Sequence, residues 1–189
     1  MLKDKDIREA MIFKIDKENK THEYRLINEL GICDGVSRVD LAVVNGRLCG
    51  YEIKSDKDTL ERLPGQIDSY NKTFDKITII VGKKFENEII DKVPEHWGIE
   101  VAYLNRMKNI SFKRVRIAKI NREIEAKALL ELLWKDELVQ LLKGKGMKGI
   151  ASKNRRKLRD IAADTIPLNE IKNYARETLK AREGWRADL

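Results

Sequence analysis

The sequence has few of the residues that build the commoner metal and histidine chemistries. Two histidines, His22 and His96, are all it contains, and they form no H-E-x-x-H pair. That argues against a zinc protease or a histidine-based nuclease. Its two cysteines, Cys33 and Cys49, lack CxxC spacing and a disulfide framework, so structural zinc is disfavoured and both are expected as small buried thiols in a reducing compartment. Three prolines and 11 glycines in 189 residues leave little room for long disordered linkers. No apolar run approaches the roughly 18 residues of a transmembrane helix. The segment Met1-Leu2-Lys3-Asp4-Lys5-Asp6 has neither the apolar stretch nor the small-residue cleavage site of a secretory signal. The expectation is a cytoplasmic protein with no membrane association.

Charge is abundant and unevenly placed. The net charge is +8, yet residues 1–104 carry 17 basic and 20 acidic side chains while residues 105–189 carry 22 and 11. Two acid-free runs concentrate the excess. The first holds Arg106, Lys108, Lys113, Arg114, Arg116, Lys119 and Arg122; the second runs from Lys143 through Lys153, Arg155, Arg156 and Lys157 to Arg159. Such a footprint suits a polyphosphate partner, although a solvated basic face has the same composition.

Periodicity divides the chain into α and β segments. Ile7, Ala10, Met11 and Ile15 predict a first helix, and residues 21–30 read as a second, stopped by Gly31. Residues 38–44 and 47–54 alternate as strands around Asn45-Gly46, a hairpin signal. Leu60, Leu63, Ile67, Tyr70 and Phe74 mark a helix, with Pro64 kinking it or opening its first turn. The β-branched run Ile77-Thr78-Ile79-Ile80-Val81 predicts a buried strand, followed by a helix over 86–93 and strands over 99–104 and 110–117. Three helices are predicted over 123–142, 153–164 and 168–182. The fold class expected is α/β: a mixed sheet flanked by helices over residues 1–104, with a basic, mainly helical extension over 105–189.

The hairpin constrains its own register. Val39, Leu41 and Val43 are expected on one face of the first strand, and Cys49, Tyr51 and Ile53 on one face of the second. A strict two-residue loop would set these apolar sets on opposite sides. A three-residue loop or a bulge near Gly46 restores agreement and brings Asp40, Glu52 and Lys54 to a shared face, with Gly50 leaving room beside them. Two carboxylates there suit Mg²⁺ or Mn²⁺, and a neighbouring lysine can orient metal-bound water.

The ordered set of Asp40, Glu52-Ile53-Lys54 and a helix bearing Gln66 resembles the PD-(D/E)XK, or restriction-endonuclease-like, nuclease superfamily. More narrowly, residues 38–46, Gly50-Tyr51-Glu52-Ile53-Lys54-Ser55-Asp56, Leu133-Trp134-Lys135-Asp136-Glu137 and the closing Lys180-Ala181-Arg182-Glu183-Gly184-Trp185-Arg186 look like the sce7726 family. This resemblance implies a restriction-endonuclease-like core and a metal-dependent nuclease cutting phosphodiester bonds, with DNA the expected substrate. It implies that Asp40, Glu52 and Glu29 hold Mg²⁺ or Mn²⁺, that Lys54 assists the nucleophile and that Gln66 supports the site. Glu23 stands as the alternative to Glu29. Lys153, Arg155, Arg156 and Lys157 are the expected phosphate-gripping residues of the basic extension. A non-catalytic nucleic-acid-binding protein on the same fold is the competing reading, and homo-oligomerisation is left open.

Overall fold

The first helix follows directly from its spacing. Over Asp4–Glu18 (α1), Ile7, Met11 and Ile15 form one buried stripe, and Asp4 and Asp6 complement the positive end of the helix dipole. The computed structural model describes residues 2–184; Trp185 and Arg186, which carry part of the expected likeness, lie outside the described residues.

Next come β1 (Arg25–Ile32), β2 (Ser37–Val44) and β3 (Leu48–Lys54), then helix α2 (Leu63–Thr73), β4 (Lys76–Gly82), the short helix α3 (Ile89–Lys92), β5 (Gly98–Leu104) and β6 (Ile110–Arg116). The strands form one six-stranded sheet in sequence order. Pairing is antiparallel for β1–β2 and β2–β3, parallel for β3–β4 and β4–β5, and antiparallel again for β5–β6. Four helices follow: α4 (Ala126–Glu131), α5 (Lys135–Gly144), α6 (Arg155–Thr165) and α7 (Leu168–Ala181). The architecture is thus mixed α/β.

Both faces of the sheet are covered, which accounts for the near-continuous apolar run of β4. On one side Ile7, Met11 and Ile15 of α1 cover Leu41, Val43, Ile53, Ile80 and Ala102. On the other, Ala42, Val44, Leu48, Ile77, Ile79, Val81 and Val101 share a cluster with Leu63, Tyr70 and Phe74 of α2 and with apolar residues of α4 to α7. The sheet and this second cluster both run across position 104, because β6 pairs with β5 and the late helices pack on the same core.

Three expectations need correction. Residues 25–32 form strand β1, not the end of a helix. The misleading three-residue spacing of Ile27 and Leu30 has a local cause: Glu29 adopts φ 53°, so the strand changes the side it presents, and Ile27, Leu30 and Ile32 all enter one cluster. Strand β2 changes sides at the opposing point, since Val39 joins Ala42 and Val44 while Leu41 and Val43 face α1. Val39 therefore does not share a face with Leu41. Finally, the single helix expected over 123–142 is two, broken where Trp134 takes the extended conformation that starts α5 and its N–H donates to Glu137 at 2.6 Å.

Candidate functional site

The hairpin adopts the register that its apolar pattern requires. Val44 pairs with Leu48 across a three-residue loop in which Gly46 has φ 90°, and Val43, Ala42 and Leu41 pair with Cys49, Gly50 and Tyr51. Continuing that register sets Asp40 opposite Glu52. Instead of a regular ladder there, an Asp40 carboxylate oxygen accepts the Ile53 N–H at 2.7 Å.

Strand β3 lies between β2 and β4, so Glu52 and Lys54 are buried, at 2% and 7% exposure. Buried charges persist only when partnered. Lys54 Nζ donates to Glu52 Oε1 at 2.7 Å, Gln66 Nε2 donates to the same oxygen at 2.6 Å, and the Tyr70 hydroxyl donates to Oε2 at 2.5 Å. Burial and the Glu52 charge push the Tyr70 hydroxyl well above its ordinary range, so it remains a donor. Gln66 and Tyr70 are four residues apart on α2 and reach the strand from one helix face.

Asp40 is held from the opposite layer. Arg8 of α1 donates from Nη2 to Asp40 Oδ1 at 2.7 Å and from Nη1 to the Asp40 carbonyl at 2.9 Å. Arg8 also meets Glu29 Oε1 at 2.8 Å. Burial and the neighbouring Glu52 nevertheless push the Asp40 carboxyl up to about 7, despite the Ile53 N–H and Arg8.

Asp40, Glu52, Lys54, Gln66 and Glu29 all line one cleft of about 980 Å³, rimmed by Val36 and Arg38. Glu29 does not join the carboxylate pair: it lies on β1, tied to Arg8 and, at 3.2 Å, to Arg38. Glu23 lies elsewhere, with its carboxylate 3.3 Å from Lys180 on α7. Among the described residues no three His, Cys, Asp or Glu side chains gather as metal ligands. Two hard carboxylates do remain together, and beside them the buried Gln66 Oε1 has no hydrogen-bond partner among the described residues. That donor set fits a hard divalent cation. Gly50 does not provide room for it, since a Cβ there would lie 3.0 Å from the Phe74 ring.

Arg8 and Tyr70 are the site residues that sequence reading misses. Tyr70 falls within an apolar stripe, although its four-residue step from Gln66 marks a shared face. Arg8 is separated from Asp40 by 32 residues, and its adjacency to the buried Ile7 is the only local signal. The basic candidates of the extension divide into two kinds. Lys153, Arg156 and Lys157 surround the start of α6, with Arg156 and Lys157 exposed. Arg155 donates to the carbonyls of Leu133 and Glu131 at 3.1 and 2.8 Å, linking α6 to the end of α4.

Comparison with known proteins places this geometry in a different family from the one expected. The model of the family described as Bacteriophage P4 protein cII matches residues 1–188. Protein cII of Enterobacteria phage P4 is 29% identical over 182 residues, covering 96% of this chain and 68% of the phage protein. No solved structure matches. The near full-length family match overturns the sce7726 assignment, which rested on short segments around the hairpin and near the C-terminus. With that resemblance fall the metal-dependent nuclease and hydrolase readings it carried, and neither matching description names an enzymatic activity. The chain belongs to the bacteriophage P4 protein cII family.

Proposed function

We propose that the protein binds nucleic acid, DNA before RNA, in a binding rather than a cutting role, and that its cleft holds Mg²⁺ or Mn²⁺ as part of that interaction. The observation carrying the proposal is the basic border of the sheet. Between residues 105 and 122 there are seven basic and no acidic side chains, lying on β6, the last strand of the sheet, and the segments beside it. Arg106, Lys108, Lys119 and Arg122 are exposed there. Clustered guanidinium and ammonium groups gain affinity for a polyanion by releasing its condensed counterions. Arg156 and Lys157 at the start of α6 extend the basic surface.

In the cleft, Asp40 and Glu52 would hold the cation, with the Gln66 amide oxygen as a third donor. When bound, such an ion neutralises the paired carboxylates and offers its remaining coordination positions to phosphate oxygens. Arg8 and Tyr70 keep the two carboxylates in place from opposite sides of the sheet. A restriction-endonuclease-like core is the finer fold reading we favour. It is supported by the Asp40 and Glu52-x-Lys54 hairpin followed by a helix and a parallel strand. That is a statement about architecture and not about catalysis. Two free thiols support a reducing, cytoplasmic setting.

The test is a salt titration of DNA affinity. Replacing Arg106, Lys108, Lys119 and Arg122 together with Gln is expected to flatten the log–log salt slope by about 0.9 for each phosphate that is no longer neutralised. Unchanged affinity and slope would remove this border from the binding surface.

A further inference from the structure

A second pocket adjoins the cleft. Its volume is about 470 Å³, and it shares Glu29, Gly31 and Arg38 with the carboxylate site. Its far wall comes from the C-terminal helices: Trp134 at the start of α5, Arg155 of α6, and Arg182 just beyond α7. Trp134 is out of keeping with a packing role. Trp97 is fully buried, whereas Trp134 is 45% exposed and opens on this pocket.

The chemistry of the walls is specific. The Arg182 guanidinium lies 4.3 Å from the centre of the Trp134 ring, and it is fixed there by Glu137 at 2.6 Å and by the Leu132 carbonyl at 2.9 Å. The indole is thus held in a defined orientation by a group that is itself anchored. Arg155 is likewise anchored through two carbonyls, while Arg38 stands at the boundary with the cleft, its side chain 67% exposed. Asn28, Glu29 and Glu131 also line the pocket. A preorganised aromatic plane, with hydrogen-bonding groups around it and the Arg38 guanidinium shared with the cleft, is suited to a nucleobase joined to its phosphates.

From this geometry we infer that the pocket takes one unpaired base of a nucleic-acid strand whose phosphate backbone continues into the cleft. The inference rests on the proposed nucleic-acid binding and deepens it. A base inside a duplex is stacked on both faces and cannot offer one to Trp134, so the occupant is a single-stranded end, gap or overhang. Arg38 sits where the two cavities meet, in position for the phosphate that joins the base to the rest of the strand.

The experiment compares a blunt DNA duplex with the same duplex bearing a short single-stranded overhang, using the full chain. The expected result is tighter binding of the overhang, with that preference reduced about tenfold in Trp134→Leu while blunt-duplex affinity is unchanged. Trp134→Phe, which keeps an aromatic ring, is expected to retain most of the preference but lose the quenching of indole emission by the overhang. An overhang preference that is absent from the native protein, or equal in Trp134→Leu and the native protein, would overturn the base pocket while leaving the basic border intact. Loss of blunt-duplex and overhang affinity in equal proportion would also overturn it, because the indole would then serve folding alone. If the native protein binds neither DNA even at low salt, the nucleic-acid reading fails and takes this inference with it.

Discussion

At Gly50 a hydrogen atom stands where any side chain would meet the Phe74 ring, the closest carbon lying 3.0 Å from an added Cβ. Phe74 is fully buried and cannot easily retreat, so Gly50→Ala is expected to cost about 1–3 kcal/mol, measured as a lower urea midpoint at unchanged slope. Asp75 is the converse, a buried charge with every lone pair claimed. It accepts the Leu48 N–H at 2.8 Å and meets both Lys172 and Arg176 of α7 at 2.9 Å. Burial pushes its carboxyl up, but the Leu48 bond, Lys172 and Arg176 outweigh this and hold it below the usual range. Because the folded value is depressed, the stabilisation is complete above the unfolded carboxyl's pKa of about 3.9 and is lost as pH falls through the folded value. Asp75→Asn should therefore destabilise by about 3 kcal/mol at neutral pH, with the gap from the native protein closing in strong acid. Thermal melts across that range check it. At this scale the three-residue loop and the pairing of Leu41 with Tyr51 are legible, because hairpin register acts over a few residues. Arg8 is hidden because nothing local announces that a helix will lay its arginine against a carboxylate 32 residues away.

Among the elements, those whose periodicity matches their environment are legible. The hairpin, β4, β5, β6, α6 and α7 are where alternation and helical stripes place them. Strand β1 is not, because one residue with positive φ converts a period of two into an apparent step of three. The break between α4 and α5 is hidden for a different reason: Leu132 and Leu133 continue an apolar pattern through a turn that both residues help to bury. The start of α6 is set by a local cap. Asn154 accepts the Lys157 N–H at 2.8 Å as an N-cap, in the middle of a basic run that electrostatics alone would disfavour at the positive end of a helix. Asn154→Ala is expected to lower stability by about 1 kcal/mol. Asn154→Asp should hold or raise it by adding a carboxylate at that end. Paired denaturant titrations separate the cap's hydrogen bond from its charge.

For the whole molecule, cation binding and stability should be linked. An ion that binds the folded cleft and not the unfolded chain stabilises by about 2.7 kcal/mol at a hundredfold excess over its dissociation constant. Mn²⁺ is expected to raise the melting temperature of the native protein and not that of Asp40→Asn or Glu52→Gln; an equal rise in all three would locate the ion elsewhere. The interruption of the ladder at Glu29 and Asp40 gives this linkage a direction. Most of a sheet seals its two sides from each other, but here a guanidinium from α1 acts on Asp40 and a phenol from α2 on Glu52, two carboxylates that line one cleft. Any ligand that draws on Asp40 must compete with Arg8, loosening the grip on α1 from the far side of the sheet. Occupancy of the cleft should then register as faster amide exchange in the first turns of α1, even as exchange slows around Ile53.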